Sequence, residues 1–147
     1  MTASAFIYLV PARPAWNSKQ TLVDFYLTAL LLGPLFLGML GVRTPVLATV
    51  LAGAAQLLNQ SVKLLALTAS EEFELRASAQ LLTSRLRNPL VARLALPIAG
   101  GILLPLLGRP VEAFATALAG ELLSRWLFFV SVVPKNVAAS FFARRAA

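Results

Sequence analysis

Apolar positions fill this chain in four long runs, and the runs are continuous rather than striped. A helix with water on one side needs a polar face, so continuity over about 20 residues predicts helices surrounded by lipid. The first run covers about Thr21 to Val42, the second Pro45 to Ala69, the third Pro89 to Leu107 and the fourth Val111 to Val133. Arg43-Thr44-Pro45 and Gly108-Arg109-Pro110 read as tight turns between runs, because proline suits the first turn of a helix and not its interior. Gly33-Pro34 lies inside the first run, where Gly38 and Gly41 offer small surfaces for close helix contact. Pro97, Gly100, Gly101 and Pro105 predict that the third span is short and kinked.

Between the second and third runs the pattern changes. Glu71, Glu72, Glu74, Arg76, Arg85, Arg87 and Arg93 are mixed among leucines and alanines from Ser70 onward. This predicts an amphipathic segment along the membrane interface over residues 70–88, with a turn at Asn88-Pro89. The expected fold is therefore all-α, an integral membrane four-helix bundle with a short amphipathic interfacial segment, built as a single domain over residues 1–147. Met1 to Val10 is apolar but has no basic start and no small-residue cleavage site, so it reads as the end or frayed start of a helix and not as a signal peptide.

Composition narrows the chemistry. Hydrophobic residues make up 59% of the 147, charged residues 13%, and the mean hydropathy is +0.78. Such a surface needs lipid as its solvent and leaves no length for a large soluble domain. Cysteine and histidine are both absent. That excludes disulfides, thiolate metal sites, chain-held iron–sulfur clusters, bis-histidine haem and the usual zinc sites, so no haem and no metal are expected in this chain. An electron-transfer cofactor would have to sit in a partner or be a mobile molecule such as a quinone.

The charge of +7 is unevenly distributed. With four spans, Arg13, Lys19, Arg76, Arg85, Arg87, Arg93, Lys135, Arg144 and Arg145 share one side, and Arg43 and Arg109 take the other. The positive-inside rule then places both termini in the cytoplasm. Because this asymmetry accounts for the basic charge, nucleic acid is not needed as a partner.

Several polar residues fall within the runs. Gln56, Asn59 or Gln60, and Lys63 recur every three or four residues, on one face of the second helix. Lipid contact there costs a few kcal/mol for the lysine alone. The amides suit interhelical packing, and Lys63, six residues from Ala69, suits snorkelling to the interface. Asp24 suits a charge complementing the start of the first helix. Glu121 and Arg125 stand at i and i+4 near the middle of the fourth span, the favourable order for an intrahelical ion pair. They read either as a buried lock or as a quinone or proton site. Trp126 and the pair Phe128-Phe129 read as lipid-facing or core bulk.

Two segments carry a resemblance. Tyr8, Arg13, Pro14, Trp16, Asn17 and Ser18, followed by Thr21, Phe25, Thr28 and Leu32-Gly33-Pro34, resemble the middle of the membrane anchor subunit of the dimethyl sulfoxide reductase family. There, a helix ends in a tyrosine, an Arg-Pro-x-Trp loop follows, and the next span opens on a similar Phe-x-x-Thr pattern. Ala119, Gly120, Glu121, Leu122, Arg125, Phe128 and Phe129 resemble the last helix of the same anchors, which are related to polysulfide-reductase-type anchors.

The resemblance implies a non-catalytic, haem-free anchor in a bacterial or archaeal inner membrane. Such anchors have eight helices, take electrons from menaquinol and pass them to an iron–sulfur subunit that feeds a molybdopterin catalytic subunit. It places Glu121 and Arg125, with Gln56 and Asn59, as candidate quinone-binding or proton-accepting residues, and Arg13, Pro14, Trp16 and Asn17 as a candidate partner-docking loop. The chain aligns only with the second half of such an anchor. A second membrane chain supplying four more helices, and sharing the menaquinone site, is then expected. Family members can also have their termini outside, against the charge count. Two other readings remain open: a small proton-coupled transporter acting as a homodimer with Glu121 as its proton site, and a purely structural half-anchor.

Overall fold

The computed structural model describes residues 18–132. The docking-loop candidates Arg13, Pro14, Trp16 and Asn17, the segment Met1 to Val10 and the tail with Lys135, Arg144 and Arg145 lie outside the described residues. Within them the chain forms α1 (Lys19–Met39), α2 (Val46–Ala69), α3 (Phe73–Thr83), α4 (Arg87–Ile98), a π-helical turn (Ala99–Leu103), α5 (Leu104–Leu106) and α6 (Pro110–Val130). Four stretches, residues 19–39, 46–69, 87–106 and 110–130, are helical, long and apolar enough to cross a membrane. The protein is an all-α, multi-pass membrane bundle.

The two short turns are closed in the same way. Gly41 and Gly108 take φ of +80° and +68°, which only glycine adopts without strain. Around them Val42 N–H donates to Leu37 O and Gly41 N–H to Gly38 O; Arg109 N–H donates to Leu104 O and Gly108 N–H to Pro105 O. Both are Schellman closures, satisfying the last carbonyls of α1 and α5. Pro45 then precedes α2, and Pro110 opens α6. These turns lie at one membrane face, called here the far face; the starts of α1 and α4, the ends of α2 and α6, and α3 lie at the other, the α3 face.

The spans form a ring in which α1 packs on α2 and α6, and α4 with its π turn packs on α6 and α2. Large apolar side chains such as Leu30, Leu47, Leu58 and Leu122 point outward, as lipid contact requires. The core is small and lies toward the far face: Leu31, Leu35, Ala52, Ala113 and Ala117, with Leu32, Leu104 and Phe114 packed against it. There the backbones nearly touch. A Cβ on Gly100 would sit 2.5 Å from Ala117 N, and one on Gly53 would sit 3.3 Å from Gly101 Cα.

The third span bends as the proline and glycine content predicts, but through a π turn. Pro105 has no N–H for the carbonyl four residues back, and the wider turn over Ala99–Leu103 absorbs the mismatch without breaking the helix. One sequence boundary is corrected. The turn expected at Asn88-Pro89 falls instead at Ser84–Leu86, because Pro89 fits within the first turn of α4, where no backbone donor is needed. Arg87 consequently belongs to the span that already held Arg93. The interfacial segment contains α3, which buries Ser78, Ala79 and Leu82 and exposes Glu72, Phe73 and Arg76.

Candidate functional site

Every Asp, Glu, Lys and Arg side chain more than a turn inside the described spans lies in one cluster on the α3 side. Each of the four spans contributes. Asp24 and Thr28 are one turn apart on α1, so they present a carboxylate and a hydroxyl on one face. From α2, Lys63 Nζ lies 3.1 Å from Asp24 Oδ2, and Asn59 Nδ2 donates to Asp24 Oδ1. Gln56, a turn deeper on the same face, donates through Nε2 to Glu121 Oε1 of α6. Thr28 Oγ1 lies 2.6 Å from Glu121 Oε2 and 2.8 Å from the Asp24 carbonyl oxygen.

Arg125 donates through Nη2 to Thr28 Oγ1 at 3.2 Å, and its guanidinium lies 3.8 Å from the centre of the Phe25 ring. Glu121 and Arg125 form no ion pair. The i, i+4 spacing brings the two side chains to one face, but Thr28 of α1 and Gln56 of α2 compete for them, and Thr28 ends up between them. Lys63 does not snorkel either. Only 13% of its side chain is exposed, and it sits between Asp24 and the Phe128 ring, 5.2 Å from the ring centre. A counter-charge across the helix interface holds it more strongly than water at the interface would. Asp24, correspondingly, is an interhelical acceptor instead of a charge at the start of α1.

The third span brings Arg93, which the sequence pattern grouped with the charges of the interfacial segment although it falls inside the third run. Its Nε is fully buried with no acceptor among the described residues, and the Oε1 atoms of Gln56 and Gln60 are buried without donors. Arg93 and Phe128 form the wall between two spaces. One is a cavity of about 280 Å³, lined by Gln60, Lys63, Arg93, Phe128, Ser131 and leucines of α2, α3 and α4. That is near the lower end of small-molecule sites, roughly 300–1,000 Å³. The other holds about 10 Å³, room for one water, among Asp24, Thr28, Gln56, Glu121, Ser124 and Arg125.

The cluster carries three cations, Lys63, Arg93 and Arg125, against two carboxylates, Asp24 and Glu121. The cavity wall therefore carries net positive charge, and both an unpaired donor, Arg93 Nε, and an unpaired acceptor, Gln60 Oε1, are buried there. A ligand oxygen carrying partial or full negative charge satisfies the donor, while the leucine walls accept an apolar body. No group of three or more ligating side chains is placed to hold a metal among the described residues.

Of the sequence candidates, Gln56, Asn59, Glu121 and Arg125 all lie in the cluster; Gln60 faces the cavity instead. Sequence reading missed the roles of Thr28 and Arg93. The signal for Thr28 was its i+4 spacing from Asp24. For Arg93 it was a charge excess, since two in-span carboxylates and two in-span cations on other helices leave a third cation unexplained at the start of a span. Trp126 and Phe129 point outward, whereas Phe128 is half-buried at the cavity. No known family, curated protein or solved structure matches the chain.

Proposed function

We propose that the chain is a haem-free, quinol-linked membrane anchor that passes electrons from menaquinol to an iron–sulfur partner of a molybdopterin oxidoreductase in a bacterial or archaeal cytoplasmic membrane. The single observation that carries this reading is the cavity of about 280 Å³, apolar along its leucine walls and lined, beside Lys63, by Arg93 Nε and Gln60 Oε1, both buried without a partner among the described residues. A quinol has the same division, an apolar body with two oxygen atoms. The motif order at Arg13 to Thr28 and at Gly120 to Phe129 supports the same assignment.

In this reading Arg93 and Lys63 donate to one quinol oxygen and Gln60 Oε1 accepts from the other. Oxidation of one quinol releases two electrons and two protons. The electrons go to the partner's iron–sulfur cluster. The Glu121 carboxylate, on the other side of Arg93, takes one proton by way of the one-water pocket, and the second leaves to water at the cavity mouth. A second membrane chain completes the remaining wall.

Titration of the purified full-length chain with a water-soluble menaquinone analogue, read by quenching of its two tryptophans, tests this directly. Saturable binding that weakens at least tenfold in Arg93→Leu is expected. Absence of saturable binding, together with purification from its own membranes without an iron–sulfur protein, would overturn it.

A further inference from the structure

We infer that Glu121 is a proton-exchange site open to the α3 face of the membrane and closed to the far face. The inference deepens the reading above, in which Glu121 takes a quinol proton, but its geometry and its test need no quinol.

Glu121 lies nine residues before the end of α6, about 14 Å along a helix rising 1.5 Å per residue. That is near the middle of a hydrocarbon core of about 30 Å. Its surroundings suit both protonation states. When Glu121 is ionised, Thr28 donates its hydroxyl proton across 2.6 Å to Oε2. When Glu121 is protonated, the same hydroxyl turns to the Asp24 carbonyl, 2.8 Å away, and accepts from the carboxylic acid. Arg125 Nη2 donates to the threonine oxygen in either case, and Gln56 donates to the other carboxyl oxygen. The exchange needs one hydroxyl rotation and no backbone movement.

The charged groups facing this carboxyl come from every packed span: Asp24 of α1, Lys63 of α2, Arg93 of α4 and Arg125 of α6. All four lie between Glu121 and the α3 face, each within about two turns of a helix end there. The one-water pocket beside Glu121 adjoins the larger cavity through Arg93 and Phe128. A proton leaving the carboxyl can pass to a water in that pocket and on to the cavity, leaving a carboxylate behind.

In the other direction the path is closed. Leu31, Ala113 and Ala117 are almost completely buried, and the Gly53–Gly101 and Gly100–Ala117 contacts leave less space than a methyl group needs. At Gly100 the backbone of α6 comes so near, 2.5–2.9 Å from where a Cβ would sit, that no gap remains for a chain of waters. A second cavity of about 250 Å³, lined by Leu35, Thr49 and Pro105, reaches in from the far face, where the Thr49 hydroxyl is spent on the Val46 carbonyl at 2.7 Å; the buried Leu31 and Ala117 stand between it and the pocket beside Glu121.

The protein in vesicles, with its orientation read from a thiol label on Arg43→Cys in this otherwise cysteine-free chain, permits a sided test. The probe is the carboxylic-acid C=O band in difference infrared spectra after a pH jump on one face, without quinone. The expected band is absent in Glu121→Gln, follows pH on the α3 face only, shifts in Thr28→Val and returns toward its original position in Thr28→Ser. A band that follows the far face or both faces, or no band assignable to Glu121, overturns the inference. Failed quinone binding with intact one-sided titration rejects only the quinol reading. Quinone binding without such titration rejects only this one.

Discussion

Lys63 of α2 reaches across to Asp24 of α1 at 3.1 Å, joining two spans by the one interhelical ion pair among the described residues. The pair lies within the span, with only 13% and 16% of the two side chains exposed, so water from the cavity replaces a lost partner poorly. Removing one member leaves a buried charge, a change that typically costs about 3–5 kcal/mol, whereas replacing both members by apolar groups is often close to neutral. Lys63→Met and Asp24→Leu alone are each expected to lower unfolding free energy in mixed micelles by about 3 kcal/mol. The double variant should recover most of it. Additive losses in the double-mutant cycle would show that the pair is not coupled.

Glu121→Gln separates hydrogen bonding from proton exchange. The new amide oxygen still accepts from Gln56, and the new amide nitrogen donates to Thr28, whose proton turns to the Asp24 carbonyl. Stability should change by less than about 1 kcal/mol, the size of one ordinary hydrogen bond. In an assembled complex, quinol oxidation should fall by about 10²-fold, the typical contribution of a positioned proton acceptor. Unchanged oxidation at unchanged stability would leave Glu121 a packing role alone.

Arg93 presents the opposite case. Because its Nε has no acceptor among the described residues, its loss removes a desolvated donor instead of a formed bond. Arg93→Leu should therefore hold or raise the thermal midpoint in detergent while menaquinone-analogue binding weakens at least tenfold. A lowered midpoint with unchanged binding would make Arg93 structural.

These variants follow the line between what the sequence made legible and what it did not. The four spans were readable because about 20 continuous apolar residues have few other stable solutions, and the observed ends fall within a few residues of those expected. The face carrying Gln56, Asn59 and Lys63 was readable because helical spacing is fixed. Which residues that face meets was not, since spacing within one helix does not specify its neighbour. Hence Lys63 read as snorkelling until Asp24 appeared opposite it, and Glu121 read as paired with Arg125 until Thr28 and Gln56 appeared between. Arg93, although inside the third run, was grouped with the loop charges because the charge-rich stretch from Ser70 runs into α4 without a break, and Arg87 was left out of the span because Pro89 looked like a stop, although the first helical turn tolerates it.

The closure toward the far face yields a prediction with its own control. Gly100 lies against α6 so closely that an added Cβ would come within 2.5 Å of Ala117 N and 2.9 Å of Ala113 O. These are backbone atoms, so relief requires the π turn and α6 to move apart. Overpacking of this kind typically costs about 1–3 kcal/mol, and Gly100→Ala is expected near the top of that range. At Gly33, also helical, an added Cβ would meet nothing within 4 Å. Gly33→Ala should therefore be neutral or stabilising by up to about 1 kcal/mol, the helix-propensity gain of alanine over glycine. Because separating α6 from the π turn opens the wall between Glu121 and the far face, Gly100→Ala should also let a far-face pH jump reach the Glu121 infrared band, while Gly33→Ala leaves that band one-sided. Equal stability of the two variants would mean that the helices are not in contact at Gly100, and with that contact gone the wall itself would have no basis.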